Sequence, residues 1–460
     1  MPYLFGKYYP LRRIVFFLGE ASLIFAAIFL IQTTFMEEDK ILFSLELCLL
    51  RTGLVTLVFI LSLYFFDLYD LDVYSSFSDT ATRMTQAFGV GCIALALIYY
   101  ALPFIIIPTK IFLFGYLLIC VFLTVWRFVY IFALRKLIFA EPIVVLGTGE
   151  LAGNIANEII DHIDTGYQIA AFIGKSRPTF PVNAIPVYEN MDGLRSICRK
   201  HDAEIIVMAL DDRRGVMPVN ELIDCKMEGI RVWTGVSFFE KLTGKIMVEK
   251  VNPDWIIYAP GFSISRMNNA IKRSWDLIFS GIGLIIASPI MLISAIIIKL
   301  ESPGPVFYCQ DRVGLRGQVF KVFKFRSMRQ DAEKNGAVWA MENDDRVTKF
   351  GAFARKVRID ELPQLWNVLR GEMSFVGPRP ERPVFVDMLA KKIPYYPLRH
   401  NIKPGVTGWA QICYPYGASE EDALRKLEYD LYYLKNLSFS MDMGIVFQTI
   451  KTVLLKKGAR

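Results

Sequence analysis

Four stretches of this chain, at about 12–34, 42–66, 86–107 and 111–134, are each apolar over the roughly 20 residues needed to cross a bilayer. They constrain the fold more than any other feature, because a backbone in hydrocarbon must satisfy its own polar groups and so has to be helical. The first run opens on Arg12-Arg13 and lacks a small-residue cleavage site, so it reads as an anchor rather than a removed signal. Lys7, Arg12 and Arg13 precede that run and Arg135-Lys136 follow the fourth, whereas Glu37, Glu38 and Asp39 face only Lys40 in the first loop. Basic flanks stay in the cytoplasm, which places the N-terminus and everything after residue 135 there. Arg51 interrupts the second run; snorkelling and a helix–helix contact both account for it.

Beyond residue 140 the pattern changes. Glu141-Pro-Ile-Val-Val-Leu-Gly147-Thr-Gly149 reads as a strand entering a glycine turn and a helix. Further strands are expected at 168–173, 204–210 and 230–233, with helices at 191–201 and 217–228. Such alternation predicts a small doubly wound, Rossmann-like α/β domain. The glycine turn could present amides to a phosphate, but a strand–helix junction also wants glycine for steric reasons alone. The second strand ends Phe172-Ile173-Gly174-Lys175, without the acid that grips an NAD ribose, so a nicotinamide cofactor is not expected.

The seven cysteines form no CxxC pair and their odd number argues for a reducing compartment. The three histidines, His162, His201 and His400, make no zinc pattern. Positive charge concentrates in residues 262–460, with 30 Lys and Arg against 19 Asp and Glu. That suits an anionic substrate or membrane surface; no nucleic-acid-binding module accompanies it. Residues 272–300 form a fifth apolar run, flanked by Lys272, Arg273 and Lys299 and interrupted by Ser288-Pro289. Basic residues at both ends want both ends in the cytoplasm. A helix that enters, breaks at Pro289 and returns would satisfy this, and a fifth span is the alternative.

Three charged clusters follow. Phe320-Lys-Val-Phe-Lys-Phe-Arg-Ser-Met carries Lys321 on one strand face and aims Lys324 and Arg326 nearby. Arg355-Lys-Val-Arg-Ile-Asp-Glu-Leu-Pro-Gln sets Asp360 and Glu361 among Arg355, Lys356 and Arg358. Arg399-His-Asn-Ile-Lys-Pro-Gly-Val-Thr-Gly is the third. Adjacent carboxylates among cations can supply an ionised nucleophile and a Mg²⁺ ligand, with Arg and Lys stabilising phosphoryl transfer. Asp360 as a helix cap with a solvated basic flank fits the same residues, and the two readings are not exclusive. At the C-terminus, residues 441–455 place Ile445, Val446, Thr449, Ile450, Val453 and Leu454 on one helical face before Lys456-Lys457. Core packing or the membrane interface could take that face.

Residues 266–455 resemble the catalytic domain of the monotopic phosphoglycosyl transferases, the bacterial sugar transferase family. The ordered matches are Ser288-Pro289, Phe320–Met328, Asp360-Glu361-Leu-Pro-Gln-Leu, Gly377-Pro-Arg-Pro, Lys403-Pro-Gly-Val-Thr-Gly and Tyr429-Asp-Leu-Tyr-Tyr. The resemblance implies the long form of that family, which starts exopolysaccharide or O-antigen synthesis. The implied fold is a multidomain membrane protein. It has four transmembrane helices over 1–138, a Rossmann-like α/β domain over 139–262, and an α/β-containing catalytic domain over 263–460 with a re-entrant helix at about 272–300.

It also implies an enzyme that moves a sugar-1-phosphate from a UDP-sugar to polyprenyl (undecaprenyl) phosphate at the cytoplasmic face of the bacterial inner membrane, releasing UMP. Asp360 matches the nucleophile of a covalent ping-pong mechanism and Glu361 its Mg²⁺-associated partner. Lys324 and Arg355 match basic residues around the centre, and Arg379 a phosphate-facing arginine. Arg358, Arg326 and Lys403 are further candidates for substrate phosphate, and Ser288-Pro289 matches the re-entrant break. Glucose or galactose is the expected sugar. A homodimer is compatible with the sequence, though no motif demonstrates it. Two rivals remain: a membrane nucleotide-sugar dehydratase, for which no Tyr-x-x-x-Lys pair follows the glycine turn, and a non-catalytic sensor of nucleotide or lipid.

Overall fold

The computed structural model describes residues 3–4, 7–8, 11–35, 45–69, 77–135, 140–162, 165–174, 178, 180, 185–189, 193–210, 217–251, 253–262, 265–329, 346–415, 417 and 419–454. The acidic loop at 37–40, Lys136, Lys175 and Lys456-Lys457 lie outside the described residues. The chain divides into two compact units, Tyr8–Gly235 and Val236 onward. Among the described residues, five helices are long and apolar enough to cross a membrane. Apolar N-terminal helices joined to a parallel α/β sheet make this a membrane-anchored multidomain protein.

In the first unit, of helices α1 (Leu11–Thr34), α2 (Leu45–Phe65), α3 (Phe77–Ala101) and α4 (Thr109–Arg135), α1 packs on α2 and α4, and α2 on α3. The third helix starts at Phe77 rather than 86, since its first two turns are polar and invisible to an apolar window. Ile24, Ile28, Phe59, Leu63, Ile119 and Leu123 fill the interior. Polar side chains inside an apolar bundle must find partners. Arg127 Nε lies 2.8 Å from Glu20 Oε1 and its Nη2 donates to Oε2 at 3.1 Å, while Nη1 donates to Leu68 O at 3.1 Å. Gln32 Nε2 donates to Thr52 Oγ1 at 3.0 Å, tying α1 to α2. Arg51 does not snorkel: it is buried, and its Nη2 donates to Phe104 O at 3.3 Å.

The α/β part holds five parallel strands, β1 (Glu141–Leu146), β2 (Tyr167–Ile173), β3 (Val187–Tyr188), β4 (Ile205–Met208) and β5 (Arg231–Thr234), in the order β3-β2-β1-β4-β5. Helices α5 (Glu150–Asp161), α6 (Leu194–Lys200) and α7 (Val219–Met227) alternate with them. The two-residue β3 is too short for periodicity to reveal. Gly147 has φ +132°, and a Cβ there would meet Ala209 O at 2.2 Å. The steric reading of that glycine is therefore sufficient without a ligand.

Helices α8 (Gly235–Thr243), from Val236 on, and α9 (Pro253–Tyr258) belong to the second unit. They dock on α15 (Glu420–Lys435): Lys435 Nζ lies 2.7 Å from Glu240 Oε2 and 4.4 Å above the Trp255 ring. Helix α10 (Arg266–Glu301) is continuous through Pro289, so the expected break is not an unwound segment. Proline has no N–H for the carbonyl four residues back, Ile285 O. The Ser288 hydroxyl donates to that carbonyl at 2.8 Å. Ile285, Ile286, Ile290, Leu292 and Ile293 around it are exposed.

Both ends of α10 are tied to neighbouring elements. Arg273 donates to Val368 O and Leu369 O at 2.6 and 2.7 Å, the last carbonyls of α12 (Gln364–Arg370). At the other end Glu301 accepts Phe350 N–H at 3.0 Å, in the first turn of α11 (Lys349–Lys356). An antiparallel hairpin, β6 (Phe307–Val313) and β7 (Val319–Phe325), pairs Tyr308 with Lys324. Short parallel strands β8 (Ser374–Val376) and β9 (Gly405–Thr407), helices α13 (Pro383–Lys392), α14 (Trp409–Cys413) and α16 (Phe439–Leu454) complete the unit. On α16, Ile445 is buried and Thr449 bonds Thr407, whereas Ile450 and Val453 are exposed.

The Glu20–Arg127 pair generates a test. Arg127→Leu leaves a buried carboxylate unpaired and should lower stability by about 3–5 kcal/mol, read as thermal unfolding in detergent. Adding Glu20→Leu should recover most of the loss; a single variant as stable as the parent would show that the pair does not hold the bundle.

Candidate active site

The site is built on one backbone constraint. Arg358 sits between α11 and a 3-10 turn, Ile359–Glu361, with φ 57° and ψ 24°. This left-handed conformation costs a non-glycine residue about 1–2 kcal/mol, and it turns the chain so that Asp360 and Glu361 both face inward at 9% exposure. Two contacts hold α11 in place. Thr348 caps it by accepting Gly351 N–H at 3.0 Å, and a Cβ at Gly351 would meet Ser327 O at 2.1 Å, so only glycine allows that approach. The contact brings Arg355 Nε to Ser327 Oγ at 2.9 Å.

The neighbouring strand is fixed by a residue that sequence reasoning missed. Asn367 is fully buried; its Nδ2 donates to Lys321 O at 2.7 Å and its Oδ1 accepts Phe323 N–H at 3.0 Å. It thus bonds the β7 backbone as another strand would, and Lys324 follows directly. The available signal was an asparagine placed mid-helix, where its competing backbone bonds make it unfavourable without a partner.

The two acids differ in their company. Glu361 Oε1 accepts from Arg379 Nη2 at 2.8 Å and Lys324 Nζ at 3.3 Å, and Oε2 from Arg358 Nη1 at 3.4 Å. Burial opposes its charge, but Arg379, Lys324 and Arg358 outweigh that and hold its carboxyl well below the usual range. Asp360 makes no hydrogen bond or ion pair among the described residues. Burial and the adjacent Glu361 charge push its carboxyl up to about 6, against Lys324, Arg355 and Arg379. Burial pulls the Lys324 ammonium down, with Glu361 opposing. Asp360 is not a cap: the N-cap positions of the 3-10 turn and of α12 are Arg358 and Pro363, neither with a side-chain capping bond.

The structure therefore gathers Lys324, Arg358, Asp360, Glu361 and Arg379, with Arg355 close enough to act on Asp360. It does not gather Arg326 or Lys403. Arg326 is 6% exposed and donates to Pro303 O, Ser302 O and Ser302 Oγ at 2.7–2.9 Å, closing the chain that leaves α10. Lys403 lies beside Arg273 and Gly371, where burial and Arg273 lower its ammonium. Among the described residues no group of three His, Cys, Asp or Glu side chains could hold a metal ion. Both Glu361 oxygens already face cations, so the dyad suits Mg²⁺ only together with phosphate oxygens from a ligand, a donor set Mg²⁺ accepts.

Residues 267–456 match the family model described as bacterial sugar transferase, and residues 64–216 match one described as CoA-binding domain. A UDP-N-acetylgalactosamine-undecaprenyl-phosphate N-acetylgalactosaminephosphotransferase of Aeromonas hydrophila is 42% identical over 57% of this chain and 61% of its own. A putative undecaprenyl-phosphate N-acetylgalactosaminyl 1-phosphate transferase of Bacillus subtilis (strain 168) is 57% identical over 28% of this chain and 73% of its own. A UDP-glucose:undecaprenyl-phosphate glucose-1-phosphate transferase of Escherichia coli (strain K12) is 36% identical over 56% of each chain. The chain thus spans less than two thirds of the length of the first and third of these relatives.

Without ligand, Asp360 should titrate near pH 6, ionised above and protonated below, as read by the infrared carboxylate difference against Asp360→Asn. Glu361→Gln removes the neighbouring negative charge and leaves the cations, so the midpoint should fall. An unmoved midpoint would mean that Glu361 does not set the charge of Asp360.

Proposed function

This chain belongs to the bacterial sugar transferase family, and on that premise we propose that it transfers a sugar-1-phosphate from a UDP-sugar to undecaprenyl phosphate. The observation that carries the reading is the division of labour in the dyad. Glu361 is held by three cations while the Asp360 carboxylate, buried and without a hydrogen bond or ion pair among the described residues, is free to attack. An ionised Asp360 oxygen attacks the sugar-bearing phosphorus, and the phosphorus–oxygen bond to UMP breaks. A phosphate oxygen of the lipid then attacks the same phosphorus, the bond to Asp360 breaks, and the carboxylate is regenerated beside undecaprenyl-diphosphate-sugar.

Charge moves from Asp360 to the transferring phosphoryl oxygens and then to the leaving UMP. Arg379 and Lys324, already within 2.8 and 3.3 Å of Glu361, are placed to follow it with little rearrangement. Arg358 and Arg355 complete the cationic wall. Mg²⁺, held by Glu361 together with the donor's diphosphate, would neutralise that diphosphate when bound.

The membrane arrangement follows from α10. Its two ends are bonded to α11 and α12, which are separated in sequence only by residues 357–363. A spanning helix would send its ends to opposite faces of the bilayer. We therefore read α10 as re-entrant, dipping its exposed isoleucines into the leaflet and returning, with the catalytic unit on the cytoplasmic face of the inner membrane. Among sugars, N-acetylgalactosamine joins the glucose or galactose expected from sequence, since matched relatives are named for it and for glucose alike.

Purified protein in nanodiscs with Mg²⁺ and undecaprenyl phosphate should release UMP fastest from UDP-N-acetylgalactosamine. Asp360→Ala should abolish release and the phosphosugar adduct seen by intact mass; an adduct of normal mass on that variant would remove Asp360 as nucleophile. Separately, Met267→Cys in the first turn of α10 and Gln318→Cys beyond its end, both exposed, should label from the cytoplasmic face alone. Labelling from opposite faces would make α10 a span and end the mechanism above.

A further inference from the structure

Arg379 reaches Glu361 from a loop of unusual construction. Prolines 378 and 380 flank it, and neither has an N–H to donate. The loop is instead held by its carbonyls, four in succession. Gly405 N–H donates to Pro378 O at 2.9 Å, Arg399 Nη2 to Arg379 O at 3.1 Å, Arg312 Nη1 to Pro380 O at 2.9 Å, and Val313 N–H to Glu381 O at 2.9 Å.

The donor to Arg379's own carbonyl is itself locked. Arg399 is 6% exposed, and its Nη2 lies 2.7 Å from Asp430 Oδ2, a carboxylate only 1% exposed on the inner face of α15. Arg399 Nη1 donates to the Tyr396 hydroxyl at 2.7 Å, and the guanidinium carbon stands 5.2 Å from the Tyr396 ring. Helix α15 is anchored in turn by a capping box of Ser419 and Asp422. A planar guanidinium with fixed donor directions, addressing a carboxylate, a hydroxyl and a carbonyl together, has one orientation left.

Resting on the function proposed above, we infer that the buried Arg399–Asp430 pair is a positioning device for the reaction. It aims Arg379 at Glu361 through the backbone while remaining outside the chemistry. A buried pair is weak evidence for stability, because hydrophobic replacements are often as good; its attested use is to fix one geometry. Here that geometry is the direction of the arginine closest to Glu361, 2.8 Å away. Lysine at 399 would keep the charge beside Asp430 but, as a point charge, could not hold the same three acceptors.

The test is a double-mutant cycle on single-turnover UMP release from whichever UDP-sugar the parent protein uses. Arg399→Lys alone should slow release about 10- to 100-fold, the scale of a misplaced group. In an Arg379→Gln background the same substitution should change the rate less than about 2-fold, because residues that act through one another are not additive. Factors that multiply in the double variant, or an Arg399→Lys protein as fast as its parent, would overturn the inference. If Arg399→Lys is not recovered folded, Tyr396→Phe removes one of Arg399's acceptors and completes the cycle with a smaller factor, judged in the same way. A parent protein inert toward every UDP-sugar would refute the proposed function, an outcome separate from either result of the cycle.

Discussion

The second unit depends on one buried carboxylate among cations. Glu361 draws together β7 through Lys324, the turn after α11 through Arg358, and the loop after β8 through Arg379. Lys324 and Arg379 lie 37 and 18 residues from Glu361 in sequence, and Arg358 three. Isolated, any of the four charges would be expensive to bury. Assembled, they place three donors on one acceptor group and leave the adjacent acid alone. The difference between two neighbouring carboxyls, one held below its ordinary range and the other pushed up to about 6, comes from this unequal sharing rather than from burial, which both experience.

The same logic, partners before burial, recurs in the first unit at lower complexity. Glu20 and Arg127 face each other across α1 and α4, and Gln32 meets Thr52 across α1 and α2. Between helices that are apolar nearly all round, such pairs are the features that distinguish one rotation from another. Helix α10 solves a different problem with the same chemistry. Ser288 supplies the hydrogen that Pro289 lacks, so the helix passes a proline without exposing a carbonyl.

What the sequence disclosed, it disclosed through local pattern. Apolar length marked the helices, and alternation marked β1, β2, β4 and β5, because those signals are written within ten to twenty adjacent residues. Asp360, Glu361 and the nearby cations were legible as a cluster for the same reason. Asn367 and the pairing of Arg399 with Asp430 were not legible, since their partners lie in other elements. Arg326 and Lys403 stand apart from the dyad, because charge and proximity in sequence say nothing about direction. Arg326 turns back to cover carbonyls at 302 and 303, and Lys403 stands beside Arg273. The docking of α8 on α15 was not legible for a related reason: its partner lies almost two hundred residues later.

Arg358 carries a tension of its own. Its positive φ is a conformation that glycine adopts freely, so a redesign guided by stability alone would replace it. Glycine would relax the backbone but delete one of the three cations on Glu361 and loosen the turn that aims both acids. Position 358 is thus a place where heat resistance and activity pull in opposite directions, and consensus or energy-based optimisation of such a chain should leave it fixed.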